Sequence, residues 1–153
     1  CGAFSSANRP IVLVSSSGAQ LVVNASVAKH VYLGCLRNVT VLAEHIAPRH
    51  EKIAVLGAGT RGAFRREDQL CCSWIAERLV DKGFECGDSA TRSLIREWHG
   101  ASTEIIREGR SADYLRRTGQ IQDLEFILHY QEDLKVVPKM TENGFLIDAA
   151  EEP

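Results

Sequence analysis

The sequence predicts an α/β fold, a three-layer α/β/α arrangement around a parallel or mixed sheet. Three observations predict it. Short β-branched and aliphatic runs alternate with segments of helical period through the first half of the chain. Turn-forming residues separate them, at Ser15 to Gly18, at Gly34 and across Gly57, Gly59 and Gly62. The second half is mainly helical and shows neither a repeat nor a linker, so residues 1–153 read as one domain.

Each element has its own signal. Ile11, Val12, Leu13 and Val14 form an apolar run typical of a buried strand, and Ser15, Ser16, Ser17 and Gly18 turn the chain after it. Residues 20–28 read as helix, and Val31, Tyr32 and Leu33 as a second strand. Asn38 is placed to cap a helix carrying Val41, Leu42 and Ile46, which must end before Pro48. Residues 53–56 make a third strand. The clearest helix runs from Glu67 to Lys82, with Leu70, Trp74, Ile75 and Leu79 on one stripe and Gly83 as its stop. Ser89 is placed to cap a helix through Trp98, residues 111–117 form a short helix ending at Gly119, and Asp123 is placed to cap a helix bearing Leu124, Ile127 and Leu128. Lys135, Val136 and Val137 read as a last strand stopped by Pro138, and the acidic tail from Asp148 reads as loose. Three or four strands make a small open sheet. The fold is therefore expected to be completed by another chain or a further amino-terminal segment, and the protein to be oligomeric.

Composition narrows the function classes. Hydrophobic content of 44% and charged content of 25% suit a globular protein. A net charge of -2, with Arg65, Arg66, Arg116 and Arg117 balanced by nearby acids, gives no field for nucleic acid. No apolar run approaches the ~20 residues of a membrane span. Five cysteines are an odd number in no zinc spacing, and the five histidines show no metal spacing either. Reduced thiols and a cytoplasmic location are the expectation.

The chain opens on Cys1 rather than Met, followed by a turn-rich stretch. This reads as the downstream subunit of a cleaved precursor, in which Cys1 carries a thiol and an α-amine together. The amine titrates at about pH 8 and is able to take the thiol proton. Further on, Gly57, Gly59 and Gly62 fit the spacing of a dinucleotide turn. The helix does not start inside that motif, however, and no acid closes a following strand. Backbone N–H groups that bind an anion together with Arg61 fit better. Glu67 and Asp68 open the clearest helix, where the helix dipole alone favours acids. Their functional reading is a magnesium- or phosphate-linked site at the sheet edge.

The block from Gly59 through Thr60, Arg61, Phe64, Glu67 and Asp68 to Cys71 resembles the glycine-rich turn and Glu-Asp-Cys signature of the 2-phosphosulfolactate phosphatase family. Gly34, Cys35, Leu36, Arg37 and Asn38 resemble that family's post-strand segment, and Ser15 to Gly18 its T-T-N-G-T type loop. Residues 123–126, Asp133, Val137 and Pro138 resemble its closing segment. The resemblance spans residues 11–138 and implies that fold, with magnesium-dependent acid phosphatase chemistry. Ser17 replaces the family's loop asparagine and Arg61 the acid of its turn, and the late histidine-glycine pair has no counterpart near Ser111 and Ala112. The resemblance also implies an acidic magnesium-binding segment upstream of this chain.

Two enzyme readings and one binding reading follow, all on a small-molecule substrate. The first expectation is a hydrolase or acyl transferase with Cys1 as nucleophile, no cofactor, and a companion chain from the same precursor. The second is a magnesium-dependent phosphomonoesterase using Glu67 and Asp68. In both, Ser16, Ser17, Gly18, Cys35, Arg37, Asn38, Gly59, Thr60 and Arg61 are the expected substrate contacts. The third is a non-catalytic anion-binding domain.

Overall fold

A computed structural model describes residues 12, 17–59 and 64–151. Its helices are α1 (Gly18–Ala25), α2 (Val39–Ile46), α3 (Arg66–Asp81), α4 (Ser89–Trp98), α5 (Arg110–Arg117) and α6 (Ile121–His129). The strands β1 (Pro138–Met140) and β2 (Leu146–Asp148) come last, and 3-10 turns lie at Ala47–Arg49, Thr103–Glu108 and Ala149–Glu151.

The predicted stripe of α3 divides between two apolar clusters. Ile75 and Leu79 pack with Val39, Leu42, Ala43 and Ile46 of α2, and with Val137 and Ala149. Leu70 instead joins Leu36, Trp98, Ile106, Ala112, Leu124 and Leu128. Cys71 and Trp74 touch both clusters. Burial of each large side chain contributes about 1.5–3 kcal/mol, so α3 is the element on which both halves of the chain depend. α2 and α3 also close on the backbone at Gly34. A Cβ there would lie 2.7 Å from Cδ1 of Ile75 and 2.8 Å from Cδ2 of Leu42.

The sheet differs from the expectation. β1 and β2 are antiparallel, pairing Pro138 with Asp148, Lys139 with Ile147 and Met140 with Leu146. The turn between them contains Asn143 and Gly144, and Gly144 takes φ 77°, a conformation that suits glycine. On the other side of β1, Tyr32 bridges Lys139, flanked by Leu33 N–H donating to Pro138 O (2.8 Å) and Met140 N–H to Val31 O (2.9 Å). The expected strand at 31–33 is thus a single antiparallel bridge, and the parallel order is not found among the described residues. Pro138 begins a strand instead of ending one, because the first strand position needs no N–H. Residues 53–56 form no ladder among the described residues. Ile53 and Val55 pack on the first cluster while Ala54 and Leu56 are exposed, which keeps the two-residue period of a strand without a neighbour. Of the expected strand at 11–14, only Val12 lies within the described residues.

Three caps also differ. Asn38 occupies the N-cap of α2 but makes no side-chain cap bond. Asp88 rather than Ser89 caps α4, accepting from Thr91 N–H at 2.6 Å. α6 starts at Ile121, which leaves Asp123 inside its first turn. No helix among the described residues is long and apolar enough to cross a membrane.

Candidate functional site

The first turn of α3 holds Glu67 and Asp68, its second and third residues. Arg65, extended at φ -97° and ψ 152°, leads into it. Asp68 is the third helical residue, and the Arg65 backbone N–H works to lower its carboxyl. Burial, and then the neighbouring charge of Glu67, nevertheless raise the Asp68 carboxyl above its ordinary range. Glu67 is held from α5, where Ser111 Oγ donates to its Oε1. Its Oε2 is buried and has no hydrogen-bond partner. A Cβ on Gly109 would come within 3.7 Å of that oxygen, so the Gly109 backbone closes over it. Burying one carboxylate oxygen without a donor, next to a second acid, is costly for folding alone.

The glycine turn packs on the same helical turn. A Cβ on Gly57 would lie 3.2 Å from Cys72 Sγ and 3.7 Å from Cβ of Asp68. Gly59 N–H is committed to Gly57 O at 3.0 Å. Because α3 starts only at Arg66, the helix does not open inside the glycine motif, as a dinucleotide site would require. Cys35 is exposed, and its thiol is among the groups acting on half-buried Cys71, which places the segment after Leu33 near this side of α3. Burial pushes the thiols of Cys71 up to about 12 and Cys72 up to about 11. Neither is a thiolate at neutral pH.

The other expected site residues are placed as follows. Asn38 is buried and joins three stretches of backbone: Oδ1 accepts from Cys35 N–H at 2.8 Å, and Nδ2 donates to Val136 O at 3.1 Å and Leu33 O at 3.3 Å. Arg37 makes a bidentate pair with Asp133 (2.8 and 2.6 Å) and lies 5.1 Å over the Phe126 ring. The Arg37 hydrogen bond holds the Asp133 carboxyl below its ordinary range. Ser17 and Gly18 open α1. Cys1, Ser16, Thr60 and Arg61 lie outside the described residues.

Two residues escape the sequence reading. Ser111 sits 44 positions from the Glu67 it holds. Glu132, at φ 56°, receives Thr40 N–H at 2.8 Å and Thr40 Oγ1 at 2.8 Å, and so caps α2 from 92 positions away. Only a left-handed backbone position on an acid would mark Glu132, and sequence does not display it.

Residues 3–143 match the family model for 2-phosphosulpholactate phosphatase. The chain belongs to that family. Similar proteins include one from Caldanaerobacter subterraneus subsp. tengcongensis, named "Probable 2-phosphosulfolactate phosphatase", which is 28% identical over 90% of this chain and 58% of its own length. One from Symbiobacterium thermophilum bears the same name and is 28% identical over 91% of this chain and 61% of its own. The "2-phosphosulfolactate phosphatase" of Methanothermobacter thermautotrophicus is 28% identical over 77% of this chain and 50% of its own. The chain thus spans roughly three fifths of the length of the first two relatives.

Family membership corrects the first functional expectation. A hydrolase or acyl transferase built on an amino-terminal Cys1 nucleophile is overturned, because the matched family and relatives are named for phosphate-ester hydrolysis. That chemistry calls for neutralised phosphoryl oxygens rather than a thiol and amine pair. The phosphatase alternative fits the family.

Proposed function

We propose that this chain supplies the Glu67–Asp68 carboxylate pair of a magnesium-dependent phosphomonoester hydrolase. The observation that carries the reading is the buried, unpartnered Oε2 of Glu67 beside Asp68. Magnesium prefers oxygen donors and commonly takes one or two carboxylates, filling its remaining positions with water and substrate phosphate. These two acids fit that requirement. No cluster of three His, Cys, Asp or Glu suited to a metal occurs among the described residues. When bound, the ion supplies positive charge against the phosphoryl oxygens.

The chain's own groups divide the remaining work. Ser111 fixes the rotamer of Glu67 through Oε1 and leaves Oε2 without a protein donor. Gly57 lets the glycine turn approach Asp68 closely, and the sequence assigns the substrate anion to Thr60 and Arg61. Cys35 borders the substrate, and Ser16, Ser17 and Gly18 are assigned to it from the resemblance of their loop to the family's. Asn38 and Arg37 position the loop that carries Cys35, one through backbone bonds and the other through Asp133. The substrate is a small phosphate monoester of the 2-phosphosulfolactate class. The four cysteines among the described residues are free, which suits the cytoplasm.

The finer architecture belongs to the same proposal. A three-layer α/β/α body with a mixed sheet forms when residues 53–56 gain strand neighbours from a companion chain or a further segment. Unpaired strand character there, with Leu56 61% exposed, supports this.

Magnesium titration with thermal melting tests the carboxylate pair without relying on turnover. Magnesium should raise the melting temperature of the parent protein by mass action, and should not do so for the Glu67→Gln/Asp68→Asn double variant. Hydrolysis of a phosphate monoester should fall by orders of magnitude in the same variant. Equal magnesium stabilisation of both proteins would refute the assignment.

A further inference from the structure

Away from the carboxylates, three histidines scattered in sequence gather around Tyr32. The Tyr32 hydroxyl is hydrogen-bonded to His50 Nε2 at 3.0 Å. The His30 and His50 rings lie 5.0 Å apart between centroids, and His45 meets Tyr32 edge-on at 5.9 Å. Lys139 stands opposite Tyr32 on β1, and Arg49 is tied to His45 O at 2.7 Å. The group lies at the carboxyl end of α2. Eight helical residues, a rise of about 12 Å, separate it from the Asn38 end.

The charges acting on His50 have one sign. Burial first, then the charges of His30, His45, Arg49 and Lys139, hold His50 below the ordinary imidazole range, and every charge acting on it is positive. A metal cation is not the natural occupant, because the charges acting on His50 are all positive. A groove of about 670 Å³ opens beside the cluster between α1 and the β1–β2 hairpin, with Lys29, His30 and Lys139 on its wall and Glu142 the one acid among its lining residues. Protonating imidazoles beside fixed cations builds up repulsion that an anion relieves.

We infer that His30, His50 and Lys139, with Lys29 at the rim, form a proton-gated binding site for a small tetrahedral oxyanion of the phosphate or sulfate class, distinct from the Glu67–Asp68 pair. The anion enters from the groove and binds the doubly protonated histidine form. Above the histidine titration, Lys139 and Lys29 alone hold it weakly. The site does not depend on the phosphatase reading, and magnesium should leave its histidines unmoved.

Histidine titrations of the full chain by NMR test it, with inorganic sulfate as the probe and chloride holding ionic strength constant. Sulfate stays dianionic across the range, so any pH dependence belongs to the protein. His30 and His50 should titrate at higher pH when sulfate is present, while His99 and His129 should not move. Sulfate affinity should fall by about tenfold per pH unit, above the histidine titration, for each proton taken up. His30→Gln, on the exposed groove wall, should weaken binding with the rest of the spectrum unchanged, and Lys139→Met should weaken it further. A uniform response of all five histidines, or no response of His30 and His50, would overturn the inference.

Discussion

The role proposed for Asp68 sets function against stability. Its folded carboxyl titrates above its unfolded value, chiefly through burial and then through Glu67. Such a group favours the folded state fully below the unfolded titration, and that contribution is lost as pH rises through the folded value. At neutral pH the charged carboxylate therefore strains the fold. Asp68→Asn keeps an oxygen for the Arg65 N–H and removes the charge. It should melt higher than the parent protein at pH 7, and the advantage should vanish toward pH 3, while phosphatase turnover falls. A pH series of melting curves checks this, and a lower melting temperature at pH 7 would show a purely structural cap. The acids themselves were legible in sequence because they are contiguous and lie in the Glu-Asp-Cys block. What makes Glu67 unusual was not legible, since its surroundings come from α5 and from Gly109, more than 40 positions away.

Helices were legible where apolar period and flanking signals agree, as in α3 with its stop at Gly83. Strands were less so. Asn143 and Gly144 carry the usual hairpin signal, but the strands around them span only three residues each. Pro138 reads equally as an end or a beginning. The capping of α2 shows the same limit at a distance, because Glu132 and not Asn38 meets Thr40. Arg78 joins this group through Thr40 Oγ1 at 3.2 Å and Glu132 at 3.6 Å. Glu132→Ala should lower stability by about 1–2 kcal/mol through the lost cap. Glu132→Gly loses the same carboxylate but takes φ 56° without strain, so it should be more stable than the alanine variant by about 1 kcal/mol. Denaturant unfolding of the pair separates backbone strain from the cap. An alanine variant at least as stable as the glycine variant would assign no strain to this position.

For the whole molecule, the question is how the sheet is finished. The described ladders comprise one hairpin and one bridge, while residues 53–56 have strand period and no ladder. The expectation of a small open sheet came from counting apolar runs, and its order stayed hidden because strand neighbours are set by contacts remote in sequence. If a companion chain or segment completes the sheet, amide hydrogens of residues 53–56 should exchange rapidly in the isolated chain and be protected in the assembled protein. Hydrogen exchange read by mass spectrometry measures this directly. Strong protection in a monomer established by sedimentation would show that the sheet needs no companion.

Gly34 ties the evolutionary freedom of two helices to one position. Its missing side chain is the space occupied by the tips of Ile75 and Leu42. A lineage that acquires alanine there must shorten or turn both tips, and valine at position 75 is the smallest change that relieves one of them. The sizes at positions 34 and 75 should therefore trade against each other across the family, a covariation caused by volume alone. Tracking that trade among distant relatives would reveal which of them keep the α2–α3 contact.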